Sequence, residues 1–332
     1  MTDCSDSPDT GRASIGLVLS GGGAKGAYQT GIVKALSEMN VPIAAISGAS
    51  IGALNGAVTA SAASLADAAE RLEKLWKAIA DDPPLGDKIP TSIRLLEAAG
   101  LRFSDDFRYT TRILREVAHN LLPTILSPDT GALVDNSRIR ELLHEYVSVE
   151  QLAKGLPLYV SVHNTNKKLL ETVIGSGLAR LRIKQNPEAE FLHVQSLASG
   201  DLHTALLASA AIPFLLSAQE IDGESYVDGG FGGVLNSQGN TPITPLLDAG
   251  YNPIIVTSLS DRSAWNRQKH PNAAIIEINR EEKIDRAPLL PEVFDILSFQ
   301  PKKIYSWMEQ GYSDAIRSIK PWLPLIGRRY SS

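Results

Sequence analysis

The 332-residue chain is 43% hydrophobic and 21% charged, with a formal net charge of -5 and one cysteine, Cys4. That composition suits one large globular domain with a substantial core and disfavours a disordered chain. The acidic balance and the lack of any long Lys/Arg run exclude a nucleic-acid groove, and a lone cysteine excludes an internal disulfide scaffold or a cysteine-based metal cluster.

The start, "MTDCSDSPDTGRAS", has no apolar core and is expected to be a flexible tail over 1–13, neither a signal nor a transit peptide. Ile15 to Leu19 is predicted as a buried strand that runs into "SGGGAKG". Tyr28, Ile32, Ala35, Leu36 and Met39 then recur at helical spacing until Asn40 and Pro42. A second strand, Ile43 to Ser47, turns at Gly48 to Ser50 into a helix starting near Ile51. Val41 to Ala60 carries no charge, yet its glycines and Pro42 fit a buried strand, turn and helix better than a membrane span. Two strand, glycine turn, helix units predict an α/β fold with a mostly parallel central sheet, its ligand chemistry at the strands' carboxyl ends.

Leu65 to Ala80 is predicted helical, and residues 81–130 are expected to form an inserted helical cap. A plain extra helical layer without substrate contact fits the same pattern. Ser137 to Tyr146 reads as a helix, Leu158 to Val162 and Leu169 to Val173 as strands around "HNTNKK", and His203 to Ala211 as a small-residue helix stopped by Pro213. Ser225 to Val227 leads into "DGGFGG". Ile254 to Leu259 and Ala274 to Ile278 are two further strands, Ile304 to Ile319 is a helix, and 321–332 is expected to be a tail.

Gly21, Gly23 and Gly26 have dinucleotide-binding spacing, but "AAISGAS" lacks the acid needed near the end of the second strand to hold a ribose. Lys25 is followed by Gly26, so a phosphate-binding P-loop fails too. No cofactor is expected, and without an H-E-x-x-H, calcium-loop or cysteine cluster no metal is expected either. Ser50 stands where the acid is missing. In "GASIG" it occupies the middle of G-x-S-x-G, whose small flanks let a strand turn into a helix and lift a nucleophilic hydroxyl out of the sheet.

The amides of Gly21, Gly22 and Gly23 are then candidates for holding an oxyanion, together with the start of the helix at Ile51. Lys25 opposes the helix dipole; it pairs with a carboxylate, lies near an anionic head group or is simply solvated. For the base, His163 and His203 stay open beside Asp228 of "YVDGGFGG", and a turn aspartate before glycines is common in any case.

Four ordered stretches, "GLVLSGGGAKGAYQTGIVKAL", "ISGASIGALNG", "LLASAAIPFLL" and "YVDGGFGG", resemble the blocks of patatin-like phospholipases. The resemblance implies a three-layer α/β/α patatin-like fold and a Ser-Asp dyad of Ser50 and Asp228, with Gly21, Gly22 and Gly23 at the oxyanion and Lys25 at the family's basic position. It further implies acyl-ester hydrolysis of phospholipids or related lipids without metal or cofactor. The alternatives are a soluble carboxylesterase or thioesterase and a noncatalytic lipid-binding module. Within 317–329, Trp322, Leu325 and Ile326 interleave with Lys320, Arg328 and Arg329, which suggests transient contact with a membrane surface. Packing of the same residues on the domain and self-association are the other readings. A cytoplasmic location, peripheral at the inner membrane, follows as an expectation.

Overall fold

The computed structural model describes residues 15–83, 137–164, 189–210, 219–228, 237–259, 265–280 and 299–330. Most of the expected cap, the strand expected at 169–173 and the amino-terminal tail lie outside these residues.

The strands are β1 (Ile15–Leu19), β2 (Ile43–Gly48), β3 (Leu158–Asn164), β4 (Glu190–His193), β5 (Gln219–Ile221), β6 (Glu224–Asp228), β7 (Ile254–Ser258) and β8 (Ile275–Asn279). Their hydrogen-bonded succession is β5-β6-β3-β2-β1-β7-β8, with β4 also on β3. The run β3-β2-β1-β7-β8 is parallel, as expected, whereas β4, β5 and β6 pair antiparallel, so the mostly parallel sheet is mixed at one side. The parallel strands are apolar on both faces because both are covered. Leu17, Leu19, Ile46, Leu158, Val160 and Val162 face a large cluster under helices, while Val18, Ala45, Ile254 and Val256 face a smaller one built on Ile243 and Leu246.

The larger layer contains α1 (Ala27–Glu38), α2 (Ile51–Ser61) and α3 (Leu65–Asp81). Among the described residues these are followed by α4 (Ser137–Tyr146), α5 (Val149–Lys154) and α6 (Leu202–Ala210). The short α7 (Ser237–Asn240) and α8 (Thr244–Asp248) precede β7, and α9 (Pro301–Ile319) returns to pack along α1. A Cβ on Gly31 would strike the Met308 carbonyl, and one on Gly311 the Tyr28 carbonyl, so the backbones of α1 and α9 touch where they cross. Beside that crossing the Tyr28 hydroxyl donates to Asp314 at 2.8 Å, and Asp314 also pairs with Arg317 at 2.8 Å. Burial, reinforced by the Asp314 hydrogen bond and charge, pushes the Tyr28 phenol well above its ordinary value.

The carboxyl segment is not an unstructured tail. Lys320–Trp322 form a 3-10 turn and Leu323–Tyr330 form α10. Proline at the first position of a turn loses no needed donor, which is why Pro321 is tolerated. Ile326 is buried in the main cluster, whereas Trp322 and Leu325 are 42% and 56% exposed.

Candidate active site

Ser50 sits between β2 and α2 with φ 52° and ψ -126°, a backbone conformation that a non-glycine residue adopts at a cost of about 1–3 kcal/mol. The turn is possible because its flanks have no side chains. A Cβ on Gly48 would lie 2.5 Å from the Gly52 carbonyl oxygen, and one on Gly52 would run into the Leu19 carbonyl of β1. These contacts press the start of α2 against the ends of two strands. Ser50 itself is only 7% exposed, so the residue at the elbow is enclosed by its neighbours. Gly21 helps to enclose it, since a Cβ there would fall 3.1 Å from Ser50 Cβ.

Two hydrogen bonds stitch this elbow to the neighbouring elements. The Ser50 N–H donates to Ser209 Oγ at 3.1 Å, and Ser209 Oγ donates to the Ser161 carbonyl at 2.7 Å. In the sequence Ser209 looks like filler in an alanine-rich helix; a hydroxyl among fully buried neighbours is the one signal that could have marked it. The Ile51 N–H, at the first position of α2, precedes any intrahelical acceptor and faces the same end of the helix.

The glycine loop enters from β1. The Gly21 N–H donates to the Asn240 carbonyl at 3.1 Å, so of the three glycine amides singled out in the sequence this one already has a partner. Gly23 has φ 57° and opens the 3-10 turn Gly23–Gly26, whose first N–H groups have no acceptor within the turn. Lys25 in this turn is 2% exposed, so the simply solvated lysine is excluded.

The position of Asp228 follows from strand register. Val160 pairs with Gly48 and with Leu192, and Val162 pairs with Glu190 and with Asp228. A strand residue takes one partner on each edge. Hence β4 lies on one edge of β3, from Tyr159 to Val162, while β2 and β6 share the other, end to end. Asp228 therefore lies in line with β2, two pairing positions beyond Gly48, roughly 7 Å along the edge at a strand's rise per residue. It fills the place that β2 vacates when the chain turns off at Ser50. Opposed residues share a face, so Asp228 projects with Val162 onto the side covered by α2 and α6, and it is buried. Ser161, between the two pairing positions, is the residue whose carbonyl Ser209 satisfies.

The histidines lie elsewhere. His163 pairs with Val227 and so projects from the opposite face of β3. His203 lies near the beginning of α6, six residues before Ser209, with Nε2 2.9 Å from the Val147 carbonyl oxygen and its ring against His144. Burial, and secondarily His144, push its imidazole below the usual value.

Residues 17–247 match the family model described as patatin-like phospholipase. Among curated proteins, "Lysophospholipase nte1" of Aspergillus terreus is 60% identical over 47 residues, 14% of this chain and 3% of that protein. The protein of the same name from Aspergillus oryzae is 41% identical over 75 residues, 20% of this chain and 5% of that protein. "Neuropathy target esterase sws" of Drosophila persimilis is 56% identical over 48 residues, 14% of this chain and 3% of that protein. The matched segments thus span a few per cent of those relatives' lengths. Among solved structures, VipD from Legionella pneumophila aligns with 93% of this chain and 67% of its own at 16% identity and a TM-score of 0.45.

Proposed function

Because the chain belongs to the patatin-like phospholipase family, we propose that it hydrolyses the carboxylic esters of phospholipids or lysophospholipids through a Ser50-Asp228 dyad. The observation that carries the reading is the shared edge of β3. The strand bearing Asp228 takes over where the strand leading to Ser50 leaves, on the face that α2 covers. The names of the relatives, a lysophospholipase and an esterase, agree with an acyl ester as substrate.

In this reading Asp228 accepts the Ser50 hydroxyl proton as Oγ attacks the ester carbonyl carbon. The carbonyl oxygen becomes an oxyanion that the amides of Gly22, Gly23 and Ile51 receive. Collapse expels the alcohol or lysolipid, which takes the proton from Asp228, and leaves the acyl group on Ser50. Water then attacks that ester and gives its proton to Asp228. The second tetrahedral adduct releases the fatty acid, and the proton returns to Ser50. Lys25 stands beside the donors as a buried residue of the same loop, its role in binding a substrate anion part of the proposal. The exposed Trp322 and Leu325, with Lys320 next to them, are proposed to touch the lipid surface.

Lipid products are analysed for the wild type and Ser50→Ala, alongside labelling by a serine-directed fluorophosphonate. Free fatty acid and a label on Ser50, both lost in the variant, are expected. Hydrolysis that survives Ser50→Ala would overturn the assignment, and preference for short soluble esters over phospholipid vesicles would make the protein a soluble carboxylesterase.

A further inference from the structure

We infer that Gln29 and Asn55 are positioning residues that preset the amide donors of the glycine loop; the inference rests on the acyl-transfer reading above. Oxyanion donors accelerate a reaction only if they already point at the developing charge. The loop from Ser20 to Gly26 is poorly suited to hold a direction unaided, because four of its seven residues are glycine and glycine has the most backbone freedom to lose. Its rigidity has to come from outside.

Both ends of the loop are held by one buried chain of side chains. Gln29 Nε2 donates to the Ser20 carbonyl at 2.8 Å, and Asn55 Nδ2 donates to the Gly26 carbonyl at 3.0 Å. Asn55 Nδ2 also donates to Gln29 Oε1 at 2.8 Å, which joins the two clamps. Trp76 Nε1 donates to Asn55 Oδ1 at 3.0 Å and closes the chain at one end. At the other, Gln29 Nε2 reaches Thr257 Oγ1 at 3.5 Å, and Thr257 donates onward to the Val18 carbonyl at 2.9 Å. Gln29, Asn55, Trp76 and Thr257 are all fully buried.

The direction of this chain has no freedom. An indole N–H can only donate, so Asn55 must present its oxygen to Trp76 and its nitrogen to the loop; Gln29 must then present its oxygen to Asn55 and its nitrogen to Ser20. Every donor and acceptor of the two amides is used, and a flip of either would leave buried groups facing like groups. Asn55 belongs to α2, the helix that begins at the Ser50 elbow, so the same brace ties the nucleophile's helix to the loop that supplies the donors.

The test uses the full chain and begins with fluorophosphonate labelling of the wild type. A wild type not labelled at Ser50 defeats the underlying acyl-transfer reading before any variant is compared. Gln29→Met keeps the volume and removes all three hydrogen bonds of the amide, Gln29→Glu keeps only the acceptor for Asn55, and Thr257→Val removes the outer support. Leu72→Val, at a buried core position outside the hydrogen-bonded chain, serves as a control for lowered stability. For Gln29→Met and Gln29→Glu, kcat on a soluble ester should fall about 10- to 100-fold, a share of the 10²–10³ for losing a whole oxyanion donor. KM should stay within about threefold, and Thr257→Val should show a smaller loss of the same kind. Affinity for a trifluoromethyl ketone, which forms a tetrahedral adduct on serine, should fall in parallel with kcat, while that for the matching methyl ketone stays unchanged. If kcat and trifluoromethyl ketone affinity follow the melting temperature as they do in Leu72→Val, the chain only supports the fold and the inference is wrong. Thr257→Val alone decides in the same way if both Gln29 variants fail to fold.

Discussion

Asp228 differs from the two histidines in where its strand puts it, and this gives a direct expectation for single substitutions. Asp228→Asn keeps the shape and removes the proton acceptor, so turnover of a soluble ester should drop about 10²- to 10⁴-fold, the usual contribution of a general base. His163→Ala and His203→Ala should change it only a few-fold, because one side chain projects from the other face of β3 and the other rests against the Val147 carbonyl. Steady-state kinetics of the three variants compare the candidates; a severe loss in either histidine variant with a mild one in Asp228→Asn would reverse the choice. At this scale the serine elbow was easy to see in the sequence, since G-x-S-x-G carries its own packing requirement. The supporting residues were not. Asn55 and Gln29 look like ordinary polar positions of two helices, and their meaning lies in a hydrogen-bond direction that appears only once α1, α2 and α3 are side by side. Gly21 is the reverse case: its place in the loop was plain, and the partner that occupies its amide lies 219 residues away.

Among the elements, those with a continuous apolar run were legible. β1, β2, β7 and β8 are buried on both faces, so their apolar stretches mark them to within a residue or two. β4 is not marked in this way, because "EFLH" is only four residues long and partly exposed. Its pairing with β3, like the end-to-end sharing of an edge by β2 and β6, is set by tertiary contacts that no local pattern encodes. The crossing of α1 and α9 offers a second expectation. In Gly311→Ala the added methyl would meet the Tyr28 carbonyl, and separating the helices should destabilise the protein by about 1–3 kcal/mol despite alanine's better helix propensity. Gly200→Ala, with open space around the new atom, should stay within about 0.5 kcal/mol. Urea unfolding of both measures the contrast, and equal stabilities would mean that the crossing yields without strain.

For the molecule as a whole, burial leaves a signature in pH. Burial is the foremost cause that holds His193, His203 and His270 below the ordinary imidazole value. In the unfolded chain these side chains protonate near pH 6.5, whereas in the folded protein they resist until lower pH. The unfolded state therefore binds more protons in that window, and stability that is present above about pH 6.5 should decline as the pH falls through the depressed values. Urea midpoints between pH 7.5 and 5.5 should show the decline, and His203→Gln should make it shallower; an unchanged slope would remove His203 from the account. The exposed end of the fold leads to a different measurement. No helix among the described residues is long and apolar enough to cross a membrane. The double variant Trp322→Glu, Leu325→Glu should sediment several-fold less with anionic vesicles while keeping its melting temperature and soluble-ester turnover. Equal loss of vesicle binding and soluble-ester turnover, with a lower melting temperature, would show that these side chains support the domain instead.

The crossing of α1 and α9 also imposes an order in time. Tyr28 and Asp314 are 286 residues apart, and a ribosome working at about 5–20 residues per second needs roughly 15–60 s to travel from one to the other. For most of that interval the nascent chain already contains the glycine loop and the serine elbow, but not the helix that covers α1. The face of α1 around Tyr28 and Gly31, buried in the finished protein, has no permanent cover while the chain grows. An early helix is thus sealed late, and a chain released before α9 is synthesised carries the serine elbow on a scaffold that lacks its closing helix.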